Sequence, residues 1–395
     1  MSDVLSIGAS GVSAYQRALS TVSNNISNLA TPGYTRQVTD FSAGAPQAVG
    51  NLFIGTGVNA DGVKRLYDQF SEAALRTAFS NAAVQGPLVD YSNRIIDSIG
   101  NGSSSLASSL NQFFSSAQAA AGDPASLDLR NKLMTDAGGL AGRFRLLASQ
   151  LDGIESDSRG QINSDLGQLN SYSSQLAAVN GQLQGVSLEA QQPAALLDQR
   201  DQLLRDMSKL CSLRIAFRAD GEVSVGVAGS SQVNIVEGSH SRDVSAQFDD
   251  ARSGKVDLIV DPYGSPSVIG GSPGGGIGGL VSFRQQVLEP TQTSLDALAQ
   301  TVVQQVNAVN ANGVDLKGNV GGDLFKIDPT FSVQAPTVAN PPVVTSTVVD
   351  QSKFVFHDLR LNYDAAAGGW KATDLLTGQS ATGAGSIVIN GTRLD

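Results

Sequence analysis

The sequence has 395 residues and a formal charge of −10, from 26 Lys and Arg against 36 Asp and Glu. An acidic chain without a basic run lacks the positive surface that attracts nucleic acid or anionic lipid, so neither partner is expected. The single cysteine, Cys211, excludes an internal disulfide and a C-x-x-C metal site. The two histidines, His240 and His357, are too far apart in sequence to suggest a metal centre, and no cofactor is predicted.

The N-terminus does not resemble a cleaved signal peptide, because it has no basic segment followed by a continuous apolar run. No window reaches the 18 or so apolar residues that a membrane-spanning helix needs, so membrane insertion is not expected. These features predict a cytoplasmic protein or one exported by a route that does not read a cleaved signal.

Residues 3–30 are predicted to form a helix with a narrow apolar stripe, because apolar residues recur at alternating spacings of three and four. We call this stripe the apolar seam; it consists of Leu5, Val12, Tyr15, Leu19, Val22, Ile26 and Leu29. A stripe this narrow indicates either a helix docked on its own domain or a helix that pairs with another helix, within or between subunits. Asn residues and Pro32-Gly33 end the helix near Ala30. Short strands and turns are expected over 38–63.

The middle of the chain is predicted to be helical and the rest largely β. The helices are expected at about 63–99, 106–121, 124–184, 193–210 and 277–311. Gly138-Gly139, Gly153 and Gly160 are expected to bend or interrupt the third of these. Alternating residues predict a small β module from Leu213 to about 270, and later strands are expected at 343–349, 353–357, 370–374 and 386–389.

The predicted fold class is therefore multidomain α+β: an elongated antiparallel helical bundle with an inserted and a C-terminal β module. The predicted segments are 1–62 (N-terminal helix and extended segment), 63–212 (helical bundle), 213–275 (inserted β module), 276–312 (returning bundle helix) and 313–395 (an incomplete outer β domain). The turn signal Asn390-Gly391 precedes Asp395 without an evident closing strand. This pattern predicts that the chain is a fragment or a shortened product.

Motifs for catalysis and ligand binding are weak. Gly274, Gly276 and Gly279 match G-x-G-x-x-G, but no buried strand directly precedes them, so a flexible hinge is favoured over a nucleotide site. The loop from Asp315 to Asp323 does not have the residues of an EF-hand and is interpreted as a turn. Asp198 and Asp201 lie beside arginines, which favours ion pairing on a solvated or subunit-facing surface. No catalysis is predicted, although the many carboxylates leave a glycosidase possible.

The segment Ser23–Gln37, SNNISNLATPGYTRQ, closely resembles the signature of bacterial flagellar axial proteins. We call it the signature segment. Its continuation Gly33-Tyr34-Thr35-Arg36-Gln37 is similar to the hook-associated protein 1 family, which lies at the junction of hook and filament. Ala194–Leu203 resembles an internal helix motif of that family. The stretches 278–284 and 313–325 resemble its later helix and following loop, and the order and spacing agree over most of residues 1–330.

This resemblance implies a structural protein that joins hook to filament and functions through interfaces between subunits. It implies pairing of the N-terminal helix with a C-terminal helix of the same chain, in the inner tube of the assembly. The signature positions it implies for assembly are Asn24, Asn25, Asn28, Pro32, Gly33, Tyr34 and Arg36, with Tyr34 and Arg36 expected to contact other subunits.

The partners that the resemblance implies are other copies of the chain, hook protein, the second hook-associated protein and the flagellar type III export apparatus. They also include an export chaperone, whose binding region is expected to be absent here because family members continue into a second heptad helix. The implied location is the extracellular flagellum. Two alternatives stay open: another axial protein, such as hook protein or the second hook-associated protein, and an extracellular binding or glycan-active protein.

Overall fold

The computed structural model describes residues 4–49, 51–100, 102, 105–184, 193–218, 221–229, 233–249, 254–261, 263–327, 343–365 and 368–395. It is a multidomain α+β protein, as predicted. The helices are α1 (Val4–Ser27), α2 (Gln69–Ile99), α3 (Leu106–Gly122), α4 (Leu127–Leu183), α5 (Ala194–Leu210), α6 (Gly275–Phe283) and α7 (Glu289–Ala311). No helix in these ranges is both long and apolar enough to cross a membrane.

The strands are short and all their resolved pairings are antiparallel. They are β1 (Gln37–Ala43), β2 (Gln47–Val49), β3 (Leu52–Ile54), β4 (Val58–Arg65), β5 (Leu213–Phe217), β6 (Val223–Val227), β7 (Asn234–Glu237), β8 (His240–Ser241), β9 (Val244–Phe248), β10 (Val256–Val260), β11 (Ser267–Ile269), β12 (Ser346–Val348), β13 (Leu359–Asp364), β14 (Gly369–Asp374), β15 (Ser380–Gly383), β16 (Ile387–Ile389) and β17 (Thr392–Leu394). The sheet orders are β1-β4, β2-β3, β5-β6-β7-β8, β11-β10-β9, β13-β14-β15 and β12-β17-β16.

The chain divides into two compact units. The first unit comprises 1–87, 161–247 and 257–280, and the second comprises 88–160, 248–256 and 281–395. Boundaries between the units fall inside α2 and α4, so the units do not coincide with the predicted segments. The borders of those segments stay a prediction.

In the first unit, the core lies between the second half of α4, α5 and the sheet β5–β8. The predicted apolar rows of α4 are buried, with Ile162, Leu176 and Leu183 fully enclosed. Asn180 of α4 is also fully buried, and its amide donates to Val223 O at 2.8 Å and accepts from Val223 N at 3.1 Å. One helical side chain thus supplies the hydrogen bonds that a neighbouring strand would otherwise make.

The second unit contains a bundle of the C-terminal part of α2 (88–99), α3, the first part of α4 (127–160) and α7. Ile95 of α2, Leu151 and Ile154 of α4, and Phe283 and Leu288 form one buried cluster. A second cluster brings α3, α4 and α7 together, and its members are Phe113, Ala137, Leu140, Val302, Val306, Leu324 and Phe325. α4 continues without interruption for 57 residues, so the glycines expected to break it do not.

The helix predicted over 277–311 is present but not uniform. Residues 284–288 form a π-helical turn between α6 and α7. The first predicted helix after the signature segment also differs at its start: β4 continues to Arg65, and α2 begins at Gln69 rather than near Val63.

Two expectations about the last 50 residues are wrong. Residues 353–357 do not form a strand, because the carbonyl of Phe354 accepts from the side chain of Gln304 at 3.1 Å instead of from a neighbouring strand. Asn390 and Gly391 do form a turn, with φ values of 51° and 71° as a tight hairpin requires. The chain then continues as β17, which closes the hairpin with β16 and pairs with β12 on its other side.

Candidate assembly surface

The polar side of α1 lies on the β1–β4 hairpin. Thr21, only 8% exposed, shares a hydrogen bond of 2.9 Å with Thr39 of β1. Arg17 donates to Ala60 O at 3.3 Å, and Ser10 accepts from Val58 N at 3.3 Å. Small and polar residues therefore attach α1 to its own unit.

Most of the apolar seam faces away from this contact, although the centre of the Tyr15 ring lies 6.0 Å from that of Phe41 in β1. All seven of its members are exposed: Leu5 78%, Val12 60%, Tyr15 72%, Leu19 67%, Val22 50%, Ile26 69% and Leu29 86%. A single apolar residue on a surface is ordinary. Six in register on α1, followed by Leu29 in the turn after the helix, form a contiguous patch typical of an interaction site. Among the described residues, no helix covers the seam.

Asn25 fixes the path of the chain after α1. Its amide donates to Gln37 O at 2.8 Å and its carbonyl accepts from Gln37 N at 2.9 Å. The same carbonyl accepts from the Tyr34 hydroxyl at 2.8 Å, and Asn24 donates to that hydroxyl at 3.3 Å. Burial, followed by the charge of Asp198, raises the pKa of Tyr34, so the hydroxyl stays neutral and able to donate. The structure therefore brings Asn24, Asn25 and Tyr34 together.

The remaining signature positions have different roles. Asn28 donates to Asn24 Oδ1 at 2.9 Å within the last turn of α1, and the exposed Pro32 follows that turn. The Arg36 carbonyl accepts from Leu66 N at 2.8 Å, while its side chain is exposed. No ion pair of Arg36 is found in the described ranges.

Gly33 and Thr35 place the signature segment on α5. Gly33 has a φ of +80°, and a Cβ there would lie 3.0 Å from the Gln202 side chain. The backbone angle favours glycine, and a side chain there would also require the end of the Gln202 side chain to shift slightly. Two residues later, Thr35 N donates to Asp198 Oδ2 at 3.2 Å.

Asp198 and Asp201 form ion pairs, as predicted, but the expectation that these lie on a solvated or subunit-facing surface is wrong. Asp198 is 9% exposed and Asp201 is fully buried, and Arg65 of β4 contacts both carboxylates. Sequence reasoning missed this arrangement because Arg65 lies 136 positions before Asp201. The available signal was local: Asp198 and Asp201 are three residues apart in a helix that also contains Arg200.

Cys211 and the glycine motif are packed against other parts of the chain. Burial raises the pKa of the Cys211 thiol to about 12, so it is a core residue and not a nucleophile. Of the glycines in the motif, a Cβ on Gly274 would lie 2.0 Å from Ser212 Oγ and one on Gly279 would lie 2.3 Å from Val84 O. A Cβ on Gly275, between them, would lie 2.5 Å from Cys211 N. These glycines permit close packing of α6 against α5 and α2, so close packing, and not the expected hinge, accounts for them.

The Asp315 loop is a turn, as predicted, in which Asp315 accepts from Lys317 N and Asn319 N at 2.8 Å each.

Comparisons with known proteins agree with this architecture. Residues 92–325 match the family described as the flagellar hook-associated protein FlgK helical domain, and residues 5–35 match the flagella basal body rod protein family. Flagellar hook-associated protein 1 of Salmonella typhimurium is 30% identical over 381 residues, which are 94% of this chain and 68% of that protein. The Escherichia coli protein of the same name is 27% identical over 394 residues, 97% of this chain and 70% of that protein.

The flagellar hook junction protein FlgK from Burkholderia pseudomallei has a similar structure, with a TM-score of 0.57 and 27% identity. The match covers 82% of this chain and 59% of that one. The exposed helix seam, the signature segment and the helical domain together define a flagellar axial protein, an exported extracellular component that self-assembles into the flagellum. More narrowly, the chain belongs to the flagellar hook-associated protein 1 family.

Proposed function

We propose that the chain is a structural subunit that joins the flagellar hook to the filament and catalyses no reaction. The observation that carries this proposal is the orientation of α1: its polar side is attached to the β1–β4 hairpin and its whole apolar seam is exposed. A helix held in this way presents a ready surface for helices of the assembly.

Burial of the seam can supply the affinity between subunits. Burying one Val, Leu or Ile side chain contributes about 1.5–3 kcal/mol. The six aliphatic members of the seam contribute on the order of 10 kcal/mol before the costs of association are subtracted. Because association itself costs roughly 4–15 kcal/mol, a stable polymer needs the contacts that each subunit makes with several neighbours.

The proposed partners follow from the position of the junction. Copies of this chain form one layer, hook protein lies on one side and the second hook-associated protein on the other. The export apparatus delivers the unfolded chain, and an export chaperone binds the C-terminal helical region of the longer family members. The exposed Arg36 and the apolar seam are the surfaces we assign to subunit contacts; Tyr34, whose hydroxyl is bound within the signature segment, supports their geometry and offers its ring.

Complementation tests the junction role. A Salmonella typhimurium strain without its own hook-associated protein 1 receives this chain or a chimaera that continues after Asp395 with the remaining C-terminal region of the host protein. Immunoblots of the medium establish export, and electron microscopy counts filaments. Filaments restored by the exported chimaera support the junction role. An exported chimaera that leaves hooks bare contradicts it.

A further inference from the structure

We propose that Asp198 of α5 is a positioning residue that sets the direction of the signature segment, and through it the direction of α1, within the first unit. Asp198 lies in the helix motif Ala194–Leu203. A role at the junction does not by itself explain what this motif does. The consequence for assembly rests on the proposed function, whereas the positioning role itself does not.

Asp198 contacts two separate parts of the N-terminal region. Its Oδ2 accepts from Thr35 N at 3.2 Å, in the middle of the signature segment. Its Oδ1 lies 3.1 Å from Arg65 Nε, close enough for ion pairing although without the alignment of a hydrogen bond. The side chains of Arg65 and Asp198 are 6% and 11% exposed, so solvent screens this attraction only weakly.

The Arg65 contact extends to the strand that follows the signature. Arg65 is the register partner of Gln37 in the β1–β4 pair, and Gln37 is the residue that Asn25 of α1 binds on both backbone groups. A continuous series of contacts therefore runs from α5 through Arg65 and Gln37 to the end of α1. The contact at Thr35 is a second, shorter link to the same segment.

Asp201 supports this arrangement but cannot be tested as cleanly. It is fully buried, contacts Arg65, and accepts from Arg200 Nε at 2.9 Å and Nη2 at 2.8 Å. Removing Asp201 would leave two buried arginines without that carboxylate, and such a loss of charge partners threatens the fold. Removing Asp198 leaves Arg65 paired with Asp201, so the fold is retained and the link to Thr35 is lost.

Amide hydrogen exchange of the 395-residue chain tests the positioning role directly. Asp198→Ala is compared with the parent and with Asp157→Ala, which removes an exposed carboxylate that pairs with Arg94 on the helix surface. We expect exchange of the Thr35 amide to accelerate about tenfold in Asp198→Ala, because a hydrogen bond to a charged acceptor is lost. Amides of Leu203 and Leu204 in α5 are expected to keep the parental rate, and Asp157→Ala is expected to match the parent at Thr35.

Equal Thr35 exchange in Asp198→Ala and the parent would overturn the proposal. If Asp198→Ala loses its cooperative thermal transition, Asp198→Leu, which keeps a similar branched shape but has no hydrogen-bond acceptor, is measured under the same criteria. In the complementation strain, the Asp198→Ala chimaera is expected to be exported but to give at least several-fold fewer filaments than the Asp157→Ala chimaera. Full filament numbers with accelerated Thr35 exchange would refute the role in assembly. Failure of the parent chimaera would count against the proposed function, and the exchange result would still decide the positioning role.

Discussion

The side chain of Asn25 binds both backbone groups of Gln37, donating to its carbonyl at 2.8 Å and accepting from its N–H at 2.9 Å. Asn180 does the same to Val223, and Asn170 does it to Val244 with distances of 3.0 and 2.8 Å. Asn307 of α7 donates to Phe325 O at 2.7 Å and accepts from Phe325 N at 3.0 Å. In each case a helical asparagine attaches an extended segment to the helix, so these asparagines are structural.

Replacement of Asn25 by Ala is expected to release the signature segment from α1. Two backbone hydrogen bonds and the bond from Tyr34 lose their partner, at a cost of about 1–3 kcal/mol for local opening. Exchange of the Gln37 amide, measured by NMR or mass spectrometry, should accelerate by one to two orders of magnitude. Asn25→Asp keeps the acceptor but not the donor, so its effect should be intermediate.

The matched control for this substitution is Asn28→Ala. Asn28 lies one turn further along α1 and bonds to Asn24, the residue one turn before it, so Gln37 should exchange at the parental rate. A parental rate in Asn25→Ala itself would show that the hydrogen bonds of Asn25 do not hold the segment.

Substitutions in the apolar seam are expected to separate assembly from stability. Leu19 and Ile26 are 67% and 69% exposed, so the pair Leu19→Gln and Ile26→Gln should change the free energy of unfolding of the isolated chain by less than about 0.5 kcal/mol. The same pair in the chimaera should abolish filament formation, because the polar side chains cannot be buried between helices without cost.

The contrasting variant is Ala14→Gln, on the other face of α1. Ala14 is 4% exposed, so a larger polar side chain there should displace α1 from its own hairpin and lower its amide protection in the isolated chain. Normal filaments from the Leu19→Gln, Ile26→Gln double variant would show that the seam is not an interface between subunits.

The period of the apolar residues was sufficient to predict α1 and the buried rows of α4, because helical periodicity depends only on local spacing. The period could not show whether the seam of α1 packs on the β1–β4 pair or is exposed. That orientation depends on Thr21, Ser10 and Arg17, whose partners are on strands 18 to 48 residues away. The burial of Asp201 likewise depends on Arg65, and β17 depends on pairing with β12, so neither is encoded in a local pattern.

Arg284, fully buried beside the π-helical turn, is expected to be essential for the second unit. Its Nη1 donates to Ser158 Oγ at 2.6 Å, its Nη2 donates to Glu155 Oε1 at 3.2 Å, and its guanidinium lies 5.3 Å from the centre of the Phe248 ring. Arg284→Ala should lower the free energy of unfolding by about 3 kcal/mol or more, because a cavity remains in the core and the ion pair with Glu155 is lost.

Chemical denaturation measures this effect, and Arg94→Ala is its control. Arg94 pairs with Asp157 on the surface, where both side chains are about half exposed, so its loss should cost about 0–1 kcal/mol. Equal costs for the two variants would contradict the assigned role of Arg284.

The stability of the second unit is expected to depend on Asp296 between about pH 4 and 7. Burial, and then the charge of Asp152, raises the pKa of Asp296 to about 6 from 3.8. Between these two values the folded state binds more protons than the unfolded state, so this residue's contribution to stability falls as the pH rises. Above pH 6 the folded protein contains a half-buried carboxylate that repels its neighbour, and below pH 4 both states are protonated at this position.

Asp296→Asn removes this titration and keeps the shape of the side chain. Thermal unfolding of parent and variant from pH 4 to 7.5 should show nearly equal midpoints at pH 4 and a higher midpoint for the variant at pH 7.5. The difference should appear mainly between pH 5 and 7, because the folded-state pKa is about 6. If the difference in unfolding midpoint between variant and parent is constant with pH, or decreases as the pH rises, ionisation of Asp296 does not destabilise the folded unit.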